Sequence, residues 1–254
     1  MKALILAAGE GTRLRPLTNT IPKVLVPIGD EPLLGIHLEQ LKKAGVTEIL
    51  INTHWLPEPV RDFVATRSAD DFKISLAHEP TLLGSAGTFF SNQDFFKNDP
   101  HILVLYGDNF TDISYDALLA HHQSRKNLAT IVCTAVENIE KKGMMIMDAQ
   151  DRILDFIEKP PKEEIVSNYA NSGIYIFNAD IFEHLEPLVK DHTKTGVVLD
   201  FGKDVFPFML KNNITMHAYP FDGYLVDIGD HAAYAMVNDR VAKLKKFRKN
   251  KKHK

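Results

Sequence analysis

Residues 6–27 read LAAGEGTRLRPLTNTIPKVLVP, and the fold and the chemistry both turn on this stretch. It follows an apolar run, Lys2–Ala7, that reads as a buried strand ending at Gly9. Gly9 and Gly11 let the backbone turn tightly and approach a ligand without a Cβ in the way. Successive N–H groups in such a turn form an anion-binding concavity. Arg13, Arg15 and Lys23 add three cations within eleven residues. Glycines that admit a phosphate and cations that neutralise it make one chemistry. Two common phosphate loops are excluded. The dinucleotide fingerprint needs a third glycine where Leu14 stands, and no Gly-Lys-Ser/Thr is present for a P-loop.

Outward from this loop, apolar runs alternate with helical patterns. Strands are expected at Glu48–Asn52, Lys73–His78, His101–Tyr106 and Ala129–Val136, and helices at Pro32–Ala44, Pro57–Arg67, Ser85–Phe96 and Ser114–Lys126. This alternation predicts an α/β fold with a doubly wound, mostly parallel, Rossmann-like sheet flanked by helices. Ligands in such sheets bind beyond the carboxyl ends of the strands. Two polar loops leave those ends, Gly9–Thr20 and Gly107-Asp108.

The second half is less regular. Strands are expected at Gly143–Met147, Arg152–Ile157, Ser172–Phe177, Ile214–Tyr219 and Tyr224–Ile228, the first two separated by a DAQD turn. Helices are expected at Asp200–Leu210 and Asp230–Phe247. This half is read as a smaller, β-rich portion extending the sheet and forming a lid over its edge. Residues 1–242 form one expected domain, with 243–254 as a basic, disordered tail.

The 254 residues are 44% hydrophobic and 25% charged, an ordinary globular balance that excludes collagen-like, disordered and disulfide-scaffold classes. No apolar run approaches the roughly 20 residues of a membrane span. A lone cysteine, Cys133, makes no internal disulfide, so a cytoplasmic location is expected. The net charge of −3 is unevenly spread. The tail KLKKFRKNKKHK holds eight Lys/Arg; the other 22 face 33 acids, a body near −11. An acidic body argues against nucleic acid as the partner. Subunit count stays open, a homo-oligomer included.

Residues 6–27 resemble the signature of the sugar-1-phosphate nucleotidyltransferases: a strand, GxGTRLxPxT, then PKxLxP. LLGSAG (82–87), YGDN (106–109), FIEKP (156–160), NSGIY (171–175) and VDIGD (226–230) resemble the later motifs in the family's order. The resemblance implies a nucleoside triphosphate and a sugar 1-phosphate as substrates, and Mg²⁺ held by Asp108 and Asp227. It implies catalytic roles for Arg13 and Lys23. The nucleotide would meet Leu6, Ala7, Ala8, Gly9, Gly11 and Thr12 in the loop, with Glu79, Gly84 and Asp108 beyond it. Gly143, Glu158, Lys159 and Asn171 would meet the sugar phosphate. Asp230 stands where the family has threonine and is read as a helix cap. Motifs reaching residue 230 leave no room for the C-terminal β-helix or acyltransferase domain of many relatives, so a catalytic domain alone is expected.

An acceptor-only carboxylate at Glu79 suits the two donors on guanine's edge, which leans the reading toward GTP with mannose 1-phosphate or a related hexose or heptose 1-phosphate. A uridylyl- or thymidylyltransferase on glucose or an amino sugar stays open. So do a cytidylyltransferase on a phosphorylated alcohol and a silent nucleotide-sugar sensor. His121-His122 is read as a surface pair without metal, Cys133 as inert, and Met144, Met145 and Met147 as packing. Trp55 and Tyr169 are read equally as ligand stackers or as packing residues.

Overall fold

The computed structural model describes residues 1–46, 48–67, 72–195 and 198–252. In chain order, β1 (Lys2–Leu6) is followed by a short hairpin, β2 (Pro27–Ile28) and β3 (Glu31–Pro32). Then come α1 (Leu33–Lys43), β4 (Glu48–Thr53), α2 (Pro57–Arg67) and β5 (Lys73–His78). Next are α3 (Ser85–Ser91), α4 (Gln93–Phe96), β6 (His101–Tyr106), β7 (Asn109–Thr111), α5 (Tyr115–Arg125) and β8 (Ala129–Ala135). The second half holds β9 (Gly143–Met147), β10 (Ile153–Glu158), β11 (Tyr169–Asn178) and α6 (Ile181–Thr195). It ends with α7 (Phe206–Lys211), β12 (Met216–Pro220), β13 (Leu225–Asp227) and α8 (His231–Lys252).

The central sheet runs β10-β9-β11-β6-β1-β4-β5, with β8 paired to β11 and β12 to β8. Strands β6, β1, β4 and β5 are parallel neighbours, as the strand–helix alternation requires. The sheet is mixed rather than mostly parallel. β11 runs antiparallel to β6, β8 and β9, and β10 antiparallel to β9. For β9 and β10 the cause is local: the short turn between them permits only antiparallel pairing. Asp148 builds that turn, its Oδ1 accepting from Gln150 N and Arg152 N at 2.9 Å each. The strands read at 214–219 and 224–228 do not pair with each other. β12 joins the central sheet beside β8, while β13 forms a separate two-stranded sheet with β7.

Two apolar layers sandwich the sheet. One is built around Phe89, Phe177, Phe201 and Phe206, the other around Leu38, Ile51, Leu105 and Leu118. The helix expected at 85–96 breaks at Asn92 into α3 and α4. His122, read as a surface residue, is 1% exposed. It lies between Thr130 and Asn178 at 2.8 and 2.9 Å, a satisfied core histidine. Met144 and Met145 pack fully inside, and burial pushes the Cys133 thiol up to about 12. α8 continues through Lys252, past the start of the segment read as a tail, and Lys245 pairs with Asp30 at 2.5 Å. Lysine and arginine favour helix, and no glycine or proline stops it. Among the described residues no helix is long and apolar enough to cross a membrane.

Candidate functional site

Two cavities open beyond the carboxyl ends of the parallel strands, and Tyr106 and Asp108 line both. The first, about 230 Å³, is walled by Leu6, Ala7, Ala8 and Gly9 on one side. Glu79, Gly84 and Ser85 stand opposite, with Lys23 at the junction. The second, about 630 Å³, is lined by Arg13, Gly143, Glu158, Asn171 and Asp227.

The turn after β1 brings Lys23 to the junction. Gly11 has φ +64°, a left-handed conformation that glycine takes without strain. A side chain there would press on Thr18 Cγ2 at 3.0 Å and on Lys23 Cβ at 3.2 Å. Thr18 Oγ1 donates to Gly11 O at 2.7 Å and closes the loop. Lys23 Nζ donates to the Asp108 carboxylate and lies 3.6 Å from Asp227 Oδ1. Asp108 follows β6 and Asp227 ends β13, so strand pairing between β7 and β13 brings together carboxylates 119 positions apart in sequence. Burial, reinforced by the Asp108 charge, raises the Asp227 pKa against the pull of Lys23. Asp227 Oδ1 is buried without a hydrogen-bond partner. Arg13 reaches over the same point: a Cβ on Gly229 would lie 3.0 Å from its guanidinium and 3.3 Å from Asp227 Oδ2.

Glu79 is 4% exposed and its acceptors are engaged. Asn52 Nδ2 donates to Oε1 at 2.9 Å, Thr88 Oγ1 to Oε1 at 2.5 Å, and Leu83 N to Oε2 at 3.1 Å. Asn52 Oδ1 in turn accepts Ala7 N at 2.6 Å, so Glu79 and Asn52 tie the glycine loop to the opposite wall. Gly84 has φ +85° and lies directly against Leu199 O, where a Cβ has no room. In the second cavity, burial and the neighbouring Asp200 charge raise the Glu158 pKa, opposed by Lys159 and Lys203. Asn171 is held at a β-bulge, donating to Tyr175 OH at 2.9 Å and accepting Gly173 N at 3.0 Å.

Not every expected residue faces a cavity. Gly11 and Thr12 lie in the turn behind Lys23, and neither is among the lining residues. Lys142, not Lys159, stands in the wall of the second cavity, where the Lys159 backbone turns with φ +53° and donates to Lys142 O. Asp230 caps α8, accepting Ala233 N at 2.9 Å. Trp55 packs, its Nε1 donating to Thr18 O at 3.0 Å. Asn52, Asp200 and Lys142 were not foreseen. Only Asp200 left a sequence signal, as an acid at the start of an expected helix.

A family model described as Nucleotidyl transferase matches residues 2–243. The chain is 35% identical over 242 residues to a UTP–glucose-1-phosphate uridylyltransferase of Synechocystis sp., covering 90% of this chain and 60% of that protein. It is 36% identical over 235 residues to a mannose-1-phosphate guanyltransferase of Gibberella zeae, with coverage of 90% and 61%. A mannose-1-phosphate guanyltransferase of Schizosaccharomyces pombe is 35% identical over 238 residues, with coverage of 92% and 62%. The chain thus spans about three-fifths of the length of these curated relatives. The structure of a UDP-glucose pyrophosphorylase complexed with UDP-glucose superposes with a TM-score of 0.80 at 23% identity, covering 95% of this chain and 98% of that one, and shares the fold. With the match running from residue 2 to residue 243, the chain belongs to the nucleotidyl transferase family.

Proposed function

We propose that the protein transfers a nucleotidyl group from a nucleoside triphosphate to a sugar 1-phosphate. A sugar-phosphate oxygen forms a bond to the α-phosphorus, the α–β phosphoanhydride bond breaks, and pyrophosphate leaves. The observation that carries this reading is the meeting of two cavities at Asp108, where Lys23 from the wall of the first pairs with Asp108 and lies 3.6 Å from Asp227, which lines the second together with Arg13. The first cavity takes the nucleotide and the second the sugar phosphate, so their phosphates converge on two cations and two carboxylates. Positioning and charge neutralisation carry phosphoryl chemistry of this type. The acceptor is already ionised at neutral pH, and no enzyme nucleophile is needed. Lys23 orients the α-phosphate against the incoming phosphate, and Arg13 neutralises charge on the triphosphate. Glu158 and Asn171 hold sugar hydroxyls.

Asp108 and Asp227 fit a Mg²⁺ ion. They offer hard oxygen donors, and the buried Asp227 Oδ1 lacks a hydrogen-bond partner. Bound there, the ion would supply further neutralisation of the phosphate oxygens.

GTP with mannose 1-phosphate, or a related hexose or heptose 1-phosphate, is the first pairing, supported by the names of two of the relatives. Glu79 contributes less to this choice than its acceptor chemistry suggests, because three protein donors engage its carboxylate. UTP with glucose 1-phosphate is the second reading, favoured by the cyanobacterial relative. Pyrophosphate release with Mg²⁺ across GTP, UTP, dTTP and CTP against a panel of sugar 1-phosphates tests both. The highest turnover is expected for GTP with mannose 1-phosphate. Binding without release in every pairing would indicate a sensor instead.

A further inference from the structure

Two of the glycines that line the second cavity, both beside Glu158, are not explained by their backbones. Gly143 lies in β9 and Gly202 in a helical turn at Phe201–Val205, and neither has a positive φ. Glycine weakens strands and helices alike, so the sequence pays a stability cost at both places. Space accounts for them. A Cβ at Gly143 would lie 2.8 Å from Glu158 Oε2 and against the Phe156 ring. A Cβ at Gly202 would also lie 2.8 Å from Glu158 Oε2, and 3.4 Å from Asp200 Oδ1. The Glu158 carboxylate therefore sits in a notch with a glycine on either side.

Asp200 forms the fixed edge of this notch. Its Oδ1 accepts Gly202 N and Lys203 N at 2.9 and 3.1 Å, and its Oδ2 accepts the Ser85 hydroxyl at 2.9 Å. Ser85 lines the first cavity and Asp200 the second, so this bond pins the carboxylate to the wall between them. Three of its roughly four lone pairs are used, which leaves one for a ligand. Glu158, at the end of a flexible side chain, is the group that yields if the notch is filled.

We infer that Gly202 is a specificity-determining position. By omitting a Cβ it holds Glu158 beside Asp200, so that two acceptor-only carboxylates face the hydroxyl-bearing edge of the sugar. This rests on the assignment of the second cavity to the sugar phosphate. Adjacent carboxylates accept from O–H donors and offer no donor of their own, so the ligand edge they fit is a polyol.

The test compares wild type, Gly202→Ala, Glu158→Gln and the double variant in steady-state transfer, with GTP–mannose 1-phosphate and UTP–glucose 1-phosphate. Gly202→Ala is expected to raise the sugar-phosphate KM threefold or more, leave the nucleotide KM within twofold, and leave Tm at or above wild type. The double variant is expected to match Glu158→Gln alone, because both changes act through one carboxylate. A smaller rise, an equal rise in both KM values, or additive losses would overturn the inference. Calorimetric titration of the two sugar 1-phosphates separates this from the transfer reading. Wild-type binding that Gly202→Ala weakens threefold or more, without transfer on either pair, would sustain the notch and sink the reaction. No wild-type binding would sink both.

Discussion

Replacing Arg13 by alanine isolates the charge term at the junction. Arg13 sits in an exposed turn and packs its guanidinium over Gly229, beside Asp227. A unit charge about 4 Å from a phosphate charge contributes about 4 kcal/mol at an effective dielectric of about 20. Partial exposure of Arg13 reduces this to roughly 3 kcal/mol, the magnitude seen when one charge-stabilising donor is removed from an active site. That converts to about a hundredfold in kcat. The side chain supports none of the buried layers, so Tm is expected to move by under about 2 °C. Arg13→Lys keeps a point charge and loses the planar fork, and is expected to fall between wild type and alanine. The assay is pyrophosphate release at saturating nucleotide and sugar phosphate, with a thermal melt alongside. A loss below threefold with the fold intact would remove Arg13 from the mechanism.

Two further outcomes follow from the geometry. Glu79→Gln puts an amide donor among Asn52, Thr88 and Leu83 N–H, leaving buried donors facing one another. Denaturant unfolding should show a loss of about 1–3 kcal/mol, with the ranking of GTP over UTP unchanged; an inverted ranking would mean that Glu79 reads the base. His37 and His122 are both held near 4, mainly by burial, against an ordinary 6.5. The unfolded chain takes up these protons first, so stability is retained above about pH 6.5 and lost as pH falls toward 4, by up to about 3 kcal/mol for each residue. His122→Gln should flatten that slope in urea titrations from pH 7 to pH 4, and an unchanged slope would show that His122 is not its source.

The parallel half of the sheet was legible because each strand announces itself locally. HILVLY at 101–106 is a continuous apolar run, and 57–67 and 73–78 carry their limits in their own patterns. The second half depends on distant partners. β11 extends from Tyr169 to Asn178, beyond its apolar centre, because β6, β8 and β9 all pair with it. α6 was not anticipated, since Pro187 interrupts its pattern. Tertiary packing sustains it nonetheless, with Ile181 and Leu185 fully buried and Phe182 stacked on Phe89 at 4.6 Å. The site divides in the same way. Arg13, Lys23, Asp108 and Asp227 stand in recognisable motifs. Asn52 and the Ser85–Asp200 bond acquire meaning only when residues 45 to 115 positions apart meet.

The central claim is that phosphates from two substrates react at the junction of the two cavities. Single-turnover mixing with GTP labelled at the α-phosphorus, mannose 1-phosphate and Mg²⁺, followed by chromatography of the quenched products, measures it directly. With UTP and glucose 1-phosphate as the parallel pair, the label is expected in a nucleoside-diphosphate sugar, matched one to one by pyrophosphate and absent without the sugar phosphate. Label recovered as free nucleotide, or left in the triphosphate in both pairs, would contradict the account.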